Sequence, residues 1–183
     1  MSVTLATRLD PSVTRPYVAL PETRLGAGDL QIVSANTNAA PTGTSRTTTL
    51  YFRAPTDRTL TFGALLIQPT FTTVATAPVL RLRAHFVPQG DYDRSAVISY
   101  QQDSTLFVSV AMTTAYSALS ANGYDLDTPD LSGAAGFDPT WSLREGSELR
   151  WNAIRIGGTL GLGRNAVPTD GATRRTAFAA GPL

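Results

Sequence analysis

Three kinds of side chain in this sequence are spaced for chemistry. The first is a row of cations. In residues 79–87, VLRLRAHFV, Arg81, Arg83 and His85 alternate with Leu80, Leu82, Ala84 and Phe86. On a strand this alternation puts the cations on one face and the apolar side chains on the other. An outward cationic row can meet a polyanion, an acidic sugar or acidic residues of a partner; a solvated strand face is the plainer reading. The second kind is acidic. Asp125, Asp127 and Asp130 fall in residues 123–138, GYDLDTPDLSGAAGFD, a loop whose carboxylates and carbonyls suit a hard cation such as calcium. The order of ligands and the distal Glu of an EF-hand loop are both missing, so a solvated loop is the simpler expectation and no metal is assigned. The third kind is aromatic: Tyr92, Tyr100, Tyr116 and Tyr124 are candidates to stack on sugar rings, or else to pack in the core. The candidate binding residues are therefore Arg81, Arg83, His85, Tyr92 and Tyr124.

Other catalytic sets are poorly supported. His85 is the only histidine, and no G-x-S-x-G elbow presents a serine, so a Ser-His-Asp hydrolase lacks its parts. Asp91 with Asp93, Asp125 with Asp127, and Glu145 with Glu148 are pairs that a glycosidase would need across a groove. All three lie in expected turns, where acidic residues serve local hydrogen bonding. Residues 157–163, GGTLGLG, resemble a phosphate cradle but precede no amphipathic helix and contain no Gly-Lys-Ser/Thr. A bulged strand or close backbone packing accounts for them better. The expectation is a chain with no catalytic residues and no cofactor.

Composition narrows the class further. The 183 residues are 42% hydrophobic and 16% charged, enough for one domain with its own core and a surface rich in neutral polar groups. The formal net charge is +1, too balanced for a general nucleic-acid or membrane-binding field. Arg164, Arg174 and Arg175 make only a sparse basic end, so strong nucleic-acid binding is not expected. All 15 basic residues are arginine, which reflects either GC-rich coding or surfaces built for contact, where Arg is favoured over Lys. Cysteine is absent, which removes disulfides and thiolate chemistry together. Arg8, Asp10 and Pro11 stand where a signal peptide needs an apolar run, and the longest strongly apolar run, residues 64–67, is far below a membrane span. Synthesis in the cytoplasm and no membrane insertion are the expectations.

The elements that must position these residues read as β throughout. Residues 47–67, TTTLYFRAPTDRTLTFGALLI, read as a central hairpin, with Leu60, Phe62 and Leu66 inside and Ala54-Pro55-Thr56-Asp57-Arg58 as its connection. A strand is expected over 79–87, a second hairpin from 96–100 and 105–112, and a third strand pair from 141–143 and 149–156, with Trp141 and Trp151 as core anchors. Residues 31–33 suggest a short strand, and residues 34–46, SANTNAAPTGTSR, a surface loop or a flexible insertion. One short helical turn is favoured over 114–121, where Met112, Tyr116 and Leu119 fall at helical spacing, although the alternation there suits a strand as well. Pro11, Pro16 and Pro21 forbid a helix near the start. The expected organisation is an extended N-terminal arm over 1–29, lying on its own domain or reaching a neighbour, a β-sandwich domain over 30–163, and an extended or flexible C-terminal tail over 164–183. Seven or eight short strands with regular turn signals indicate an all-β antiparallel sandwich or jelly roll.

A sandwich body, extended ends, a Thr/Ala/Gly/Ser-rich neutral surface and no catalytic set together resemble the small virion proteins of tailed bacteriophages. Head-decoration, head-fibre and tail components are of this kind, as are their equivalents in gene transfer particles. The resemblance spans the chain and no motif carries it, so it transfers no residue roles. It implies a non-enzymatic structural protein of the virion, assembled in the host cytoplasm as a symmetric homo-oligomer in contact with other virion proteins on a capsid or tail. The competing expectation is a carbohydrate-binding or adhesin-like module that attaches to a host-surface glycan.

Overall fold

The computed structural model describes residues 17–39, 43–103, 105–113, 115, 123–160 and 166–183. Nine strands among them form two antiparallel sheets: β1 (Gln31–Ala39), β2 (Thr44–Phe52), β3 (Thr70–Ala75), β4 (Arg81–Phe86), β5 (Ser95–Gln102), β6 (Leu106–Thr113), β7 (Tyr124–Asp127), β8 (Leu149–Gly157) and β9 (Thr173–Pro182). The larger sheet has the order β1-β2-β9-β8-β5-β6 and the smaller one β3-β4-β7. The expected all-β sandwich is therefore the fold. The helical turn expected over 114–121, and with it Tyr116, lies outside the described residues apart from Ala115.

Alternating burial builds the core. Leu82, Ala84 and Phe86 of β4 and Leu126 of β7 meet Ala96, Ile98 and Tyr100 of β5 and Trp151 and Ala153 of β8. Phe71 of β3 closes one side, with its ring 5.2 Å from Trp151 and 6.1 Å from Tyr100. Burial of apolar surface at about 25 cal/mol per Å² makes this contact the main favourable contribution to folding. The alternation in 79–87 thus gives the strand and the buried face expected of it, and the hairpin of β5 and β6 is in register from Ser95↔Thr113 to Gln102↔Leu106.

The sheets are unequal, and this explains where the sequence reading fails. The small sheet covers the β8-β5 side of the large one. The inner face of β2 is covered instead by an irregular segment, residues 53–69, which pairs into neither sheet; β3 begins only at Thr70. Arg46 of β2 donates to the Gly63 carbonyl at 2.9 Å and lies over the Phe62 ring, and Thr48 Oγ1 donates to the Thr61 carbonyl at 3.1 Å. The hairpin expected over 47–67 is therefore wrong in its second arm. Leu66 is buried and Leu60 and Phe62 are half-buried as a covering layer, because alternating apolar residues satisfy a sheet face whether they pair with a strand or lie across its side chains. β2 pairs instead with β1 and β9.

Four further expectations are corrected. Residues expected to loop, 34–46, include most of β1 and the start of β2. Residues 173–182 of the expected tail form β9, which lies between β2 and β8 inside the large sheet. Residues 141–143 do not pair with β8; Pro139–Trp141 is a 3-10 turn, capped by Asp138, whose carboxylate accepts the Thr140 N–H. Trp141 is 60% exposed and so is no core anchor, whereas Trp151 is buried.

Of the arm, residues 1–16 lie outside the described residues. The remainder is extended around a 3-10 turn at Glu22–Arg24 and lies on its own domain. The Tyr17 ring meets Phe52 edge-on at 5.6 Å, its hydroxyl donates to the Thr56 carbonyl, and the Gln31 side chain bonds both backbone groups of Leu20.

Candidate functional site

The cationic row and the acidic loop, separate in the sequence, are one ladder. β4 pairs with β7 so that Arg83 stands opposite Asp127 and His85 opposite Asp125, with all four side chains on the outer face of the small sheet. Arg83 donates from Nε and Nη2 to the two carboxylate oxygens of Asp127, each at 2.7 Å, the bidentate geometry that suits a planar guanidinium. His85 Nδ1 lies 2.7 Å from Asp125 Oδ1. Arg81 donates to the Thr128 carbonyl at 3.0 Å and stands 4.0 Å from Asp130. Asp130 in turn accepts from the Ser132 hydroxyl and N–H.

This pairing removes both readings that motivated the residues. Arg81, Arg83 and His85 are not an unopposed cationic row. Asp125, Asp127 and Asp130 are not a cation loop, since two of them are strand residues neutralised across the ladder. Among the described residues, no group of three or more His, Asp or Glu is arranged to hold a metal ion. His85 has the carboxylate partner that orients a general base, but among the described residues no hydroxyl donates to its Nε2, which faces Gly123.

The Arg83 hydrogen bonds hold the Asp127 carboxyl below the usual carboxylate range, against an opposing push from partial burial. The folded-state value is depressed, so the stabilisation is present above the ordinary carboxylate range and is lost as the pH falls through the lowered value. Asp127→Asn is therefore expected to lower the melting temperature near neutral pH by no more than a few degrees, because the pair is open to solvent. In acid that protonates Asp127 in the parent as well, the two melting temperatures should converge. A gap that persists in acid would mean that the ladder is not the cause.

The tyrosines are placed mostly inside. Tyr92 is buried, with its hydroxyl donating to the Ala64 carbonyl at 2.6 Å, and Tyr100 is buried in the core; burial raises the pKa of both. Tyr124 is half-buried, stacked on Phe86 at 5.8 Å, and the guanidinium carbon of Arg155 lies over its ring, 4.9 Å from the centroid. None of these three presents a free ring face to a sugar. The exposed aromatic at a loop is Trp141, with Phe137 set edge-on at 6.1 Å.

Arg155 has no counterpart in the sequence reading. It projects from β8 into the interior and is 2% exposed. Its Nη1 donates to the Val87 carbonyl at 2.8 Å and its Nη2 to the Tyr92 carbonyl at 2.7 Å. Burial draws its pKa below the ordinary arginine value. With Tyr124, Met112, Ser95 and Gly123 it lines a cavity of about 190 Å³ beside the 3-10 turn Gly90–Tyr92. Asp91, one of the carboxylates considered for catalysis, is a structural tie: it accepts from Arg175 Nη1 at 3.1 Å and from the Ala64 N–H at 2.9 Å.

The outer face of the large sheet is chemically different. Registers place Ala111, Val97, Ile154, Phe178, Ser45 and Asn38 in one lateral row across all six strands. The adjacent row is Thr113, Ser95, Ile156, Thr176, Thr47 and Asn36. Neither row carries a charge. Val97, Ile154, Ile156 and Phe178 are partly exposed and take no part in the core cluster. Hydroxyl pairs flank them, Ser99 with Ser109 at 3.0 Å and Ser34 with Thr49 at 2.9 Å. Alternation in β5 and β8 is signal enough to find the apolar half of this face; the β9 contribution is hidden by the expectation of a tail.

Compared with protein-family models, with curated proteins and with solved structures, the chain matches none of them.

Proposed function

We propose that this chain is a non-enzymatic structural protein of a phage-like virion that packs as a symmetric oligomer on a capsid or tail. The observation that carries the reading is the outer face of the six-stranded sheet, with two uncharged rows and Val97, Ile154 and Phe178 side by side at the centre. Interface cores are depleted in charge and pack apolar groups inside a polar rim, and contiguous apolar area on a soluble domain marks a contact site. The dense internal pairing on the small sheet supports the same reading, because it leaves the charged side chains occupied with one another. The alternative of a glycan-binding module loses Tyr92, Tyr100 and Tyr124 as ring platforms and retains the exposed rings of Trp141 and Phe107.

Sedimentation of the full chain, with and without Ile154→Glu, tests the proposal. The parent should form a defined oligomer and copurify with large particles. A carboxylate at the centre of the face should weaken association about a hundredfold and leave the melting temperature nearly unchanged. A parent that stays monomeric and never associates with particles would overturn the reading.

A further inference from the structure

Among the described residues, the two sheets end in four edges, and three of them carry a blocking feature. β7 has four residues, of which two are Asp. β3 has a register shift between Thr73 and Ala75, the kind of irregularity that twists an edge away from partners. β6 is turned in against β7. β1 has none of these. Its nine residues, QIVSANTNA, contain no charge and no proline, and they pair with β2 without interruption from Gln31↔Phe52 to Ala39↔Thr44. Ile32 is 55% exposed, and Ser34, Asn36 and Asn38 are exposed too. The neighbouring segment from Tyr17 to Leu20 does not take this edge: its contacts go to Phe52, Thr56 and the Gln31 side chain, on the inner side of the sheet. An edge strand's outward N–H and C=O groups are a template for another strand, and proteins that must stay apart usually guard it with Lys, Pro or a bulge.

We propose that β1 is an intermolecular edge: β1 of a second copy pairs with it antiparallel about a two-fold axis near Ala35, joining the two six-stranded sheets into one. This rests on the assembly reading above and names one of its contacts. Charge selects the occupant. A two-fold axis sets each residue of β1 opposite the position equidistant from the axis on the second copy, so like charges at two such positions would face one another, and β1, which carries no charge, meets no such repulsion. The midpoint of Gln31–Ala39 is residue 35, and centring there sets Ser34 opposite Asn36 of the second copy, Val33 opposite Thr37, and Ile32 opposite Asn38. The exposed Ile32 then continues the lateral row that ends at Asn38, so the neutral outer face runs unbroken across the junction.

Charge reversal tests the pairing in the full chain. The double variant Ser34→Lys, Asn36→Lys should self-associate about tenfold more weakly or worse, as should Ser34→Glu, Asn36→Glu. Mixed in equal amounts, the two should recover association, because each Lys then faces a Glu. Both positions are exposed, so melting temperatures near the parent's should confirm that the fold is kept. An oligomer unaffected by either double variant would overturn the edge and leave the assembly reading standing. Weakened association with no recovery in the mixture would also overturn the pairing, since a two-fold β1 contact requires it. A parent that is monomeric and never found on particles would remove both.

Discussion

Gly157→Ala is expected to lower the melting temperature by about 6 to 12 °C, from a destabilisation of about 3 kcal/mol at roughly 2 to 4 °C per kcal/mol for a chain of this size. β8 ends where its backbone crosses the 3-10 turn Gly90–Tyr92. A Cβ on residue 157 would run into the Asp91 carbonyl oxygen and lie 2.7 Å from the Tyr92 Cα. Both obstacles are backbone, and this backbone is held from several sides. The Tyr92 N–H donates to the Gln89 carbonyl at 3.0 Å, the Arg94 N–H to the Ile156 carbonyl at 2.8 Å, and Arg155 to the Tyr92 carbonyl. A neighbour so fixed cannot shift by the distance a methyl group needs, so the cost falls on the packing between the strand end and the turn. Gly133 is the matched control. Nothing lies within 4 Å of a Cβ built there and its φ is not positive, so Gly133→Ala should melt with the parent. Thermal melts of the three proteins check the claim, and an alanine at 157 that melts within a degree of the parent would sink it.

That glycine shows what is legible in the sequence and what is not. The run at 157–163 is conspicuous, and close backbone packing is one account of it, but the surface that Gly157 packs against is the distant turn at Gly90–Tyr92, and Gly158 meets the backbone of Thr173. Strands β4, β5, β6 and β8 are legible because large apolar residues alternate along them. β9 is not. Its inward positions are Thr173, Arg175, Ala177 and Ala179, so the apolar signal is small or reversed: Arg175 points in to meet Asp91, while Phe178 points out. β1 and the start of β2 escape for a related reason, since Ser, Thr, Asn and Ala do not announce burial even when main-chain pairing on the β2 side is continuous. The charged ladder is half legible. Both of its sides stand out, but as an anion-binding row and a cation loop, because the register that sets Arg83 against Asp127 is a long-range fact. Trp141 misleads because size alone argues for burial, while the local capping of its turn by Asp138 holds it outward.

Arg155→Met should destabilise the protein by about 3 kcal/mol and loosen one region more than the rest. Two effects oppose each other. Removing a buried guanidinium relieves the cost of holding a charge away from water. Against this, the Val87 and Tyr92 carbonyls each lose a charge-assisted hydrogen bond, worth about 1.5 to 3 kcal/mol, and methionine offers them nothing in return. Among the described residues Arg155 has no carboxylate hydrogen-bonded to it, and its Nε finds no acceptor. It is thus held by backbone carbonyls and the face of Tyr124, and its service is to pin the chain between Val87 and Tyr92 against β8. The loss of two bonds and the orphaning of two acceptors outweigh the relief, which sets the sign. Arg155→Lys keeps the charge, yet a single ammonium cannot reproduce the planar fork that spans two carbonyls, so it should recover only part of the stability. Urea unfolding gives the size of the effect, and amide hydrogen exchange gives its place. Exchange at Tyr92 and Arg94, whose N–H groups bond Gln89 and Ile156, should speed up more than exchange in the β5 and β6 hairpin. Uniform acceleration along the chain would show that Arg155 only fills space, and unchanged stability would show that the two carbonyls find water as readily as they found the guanidinium.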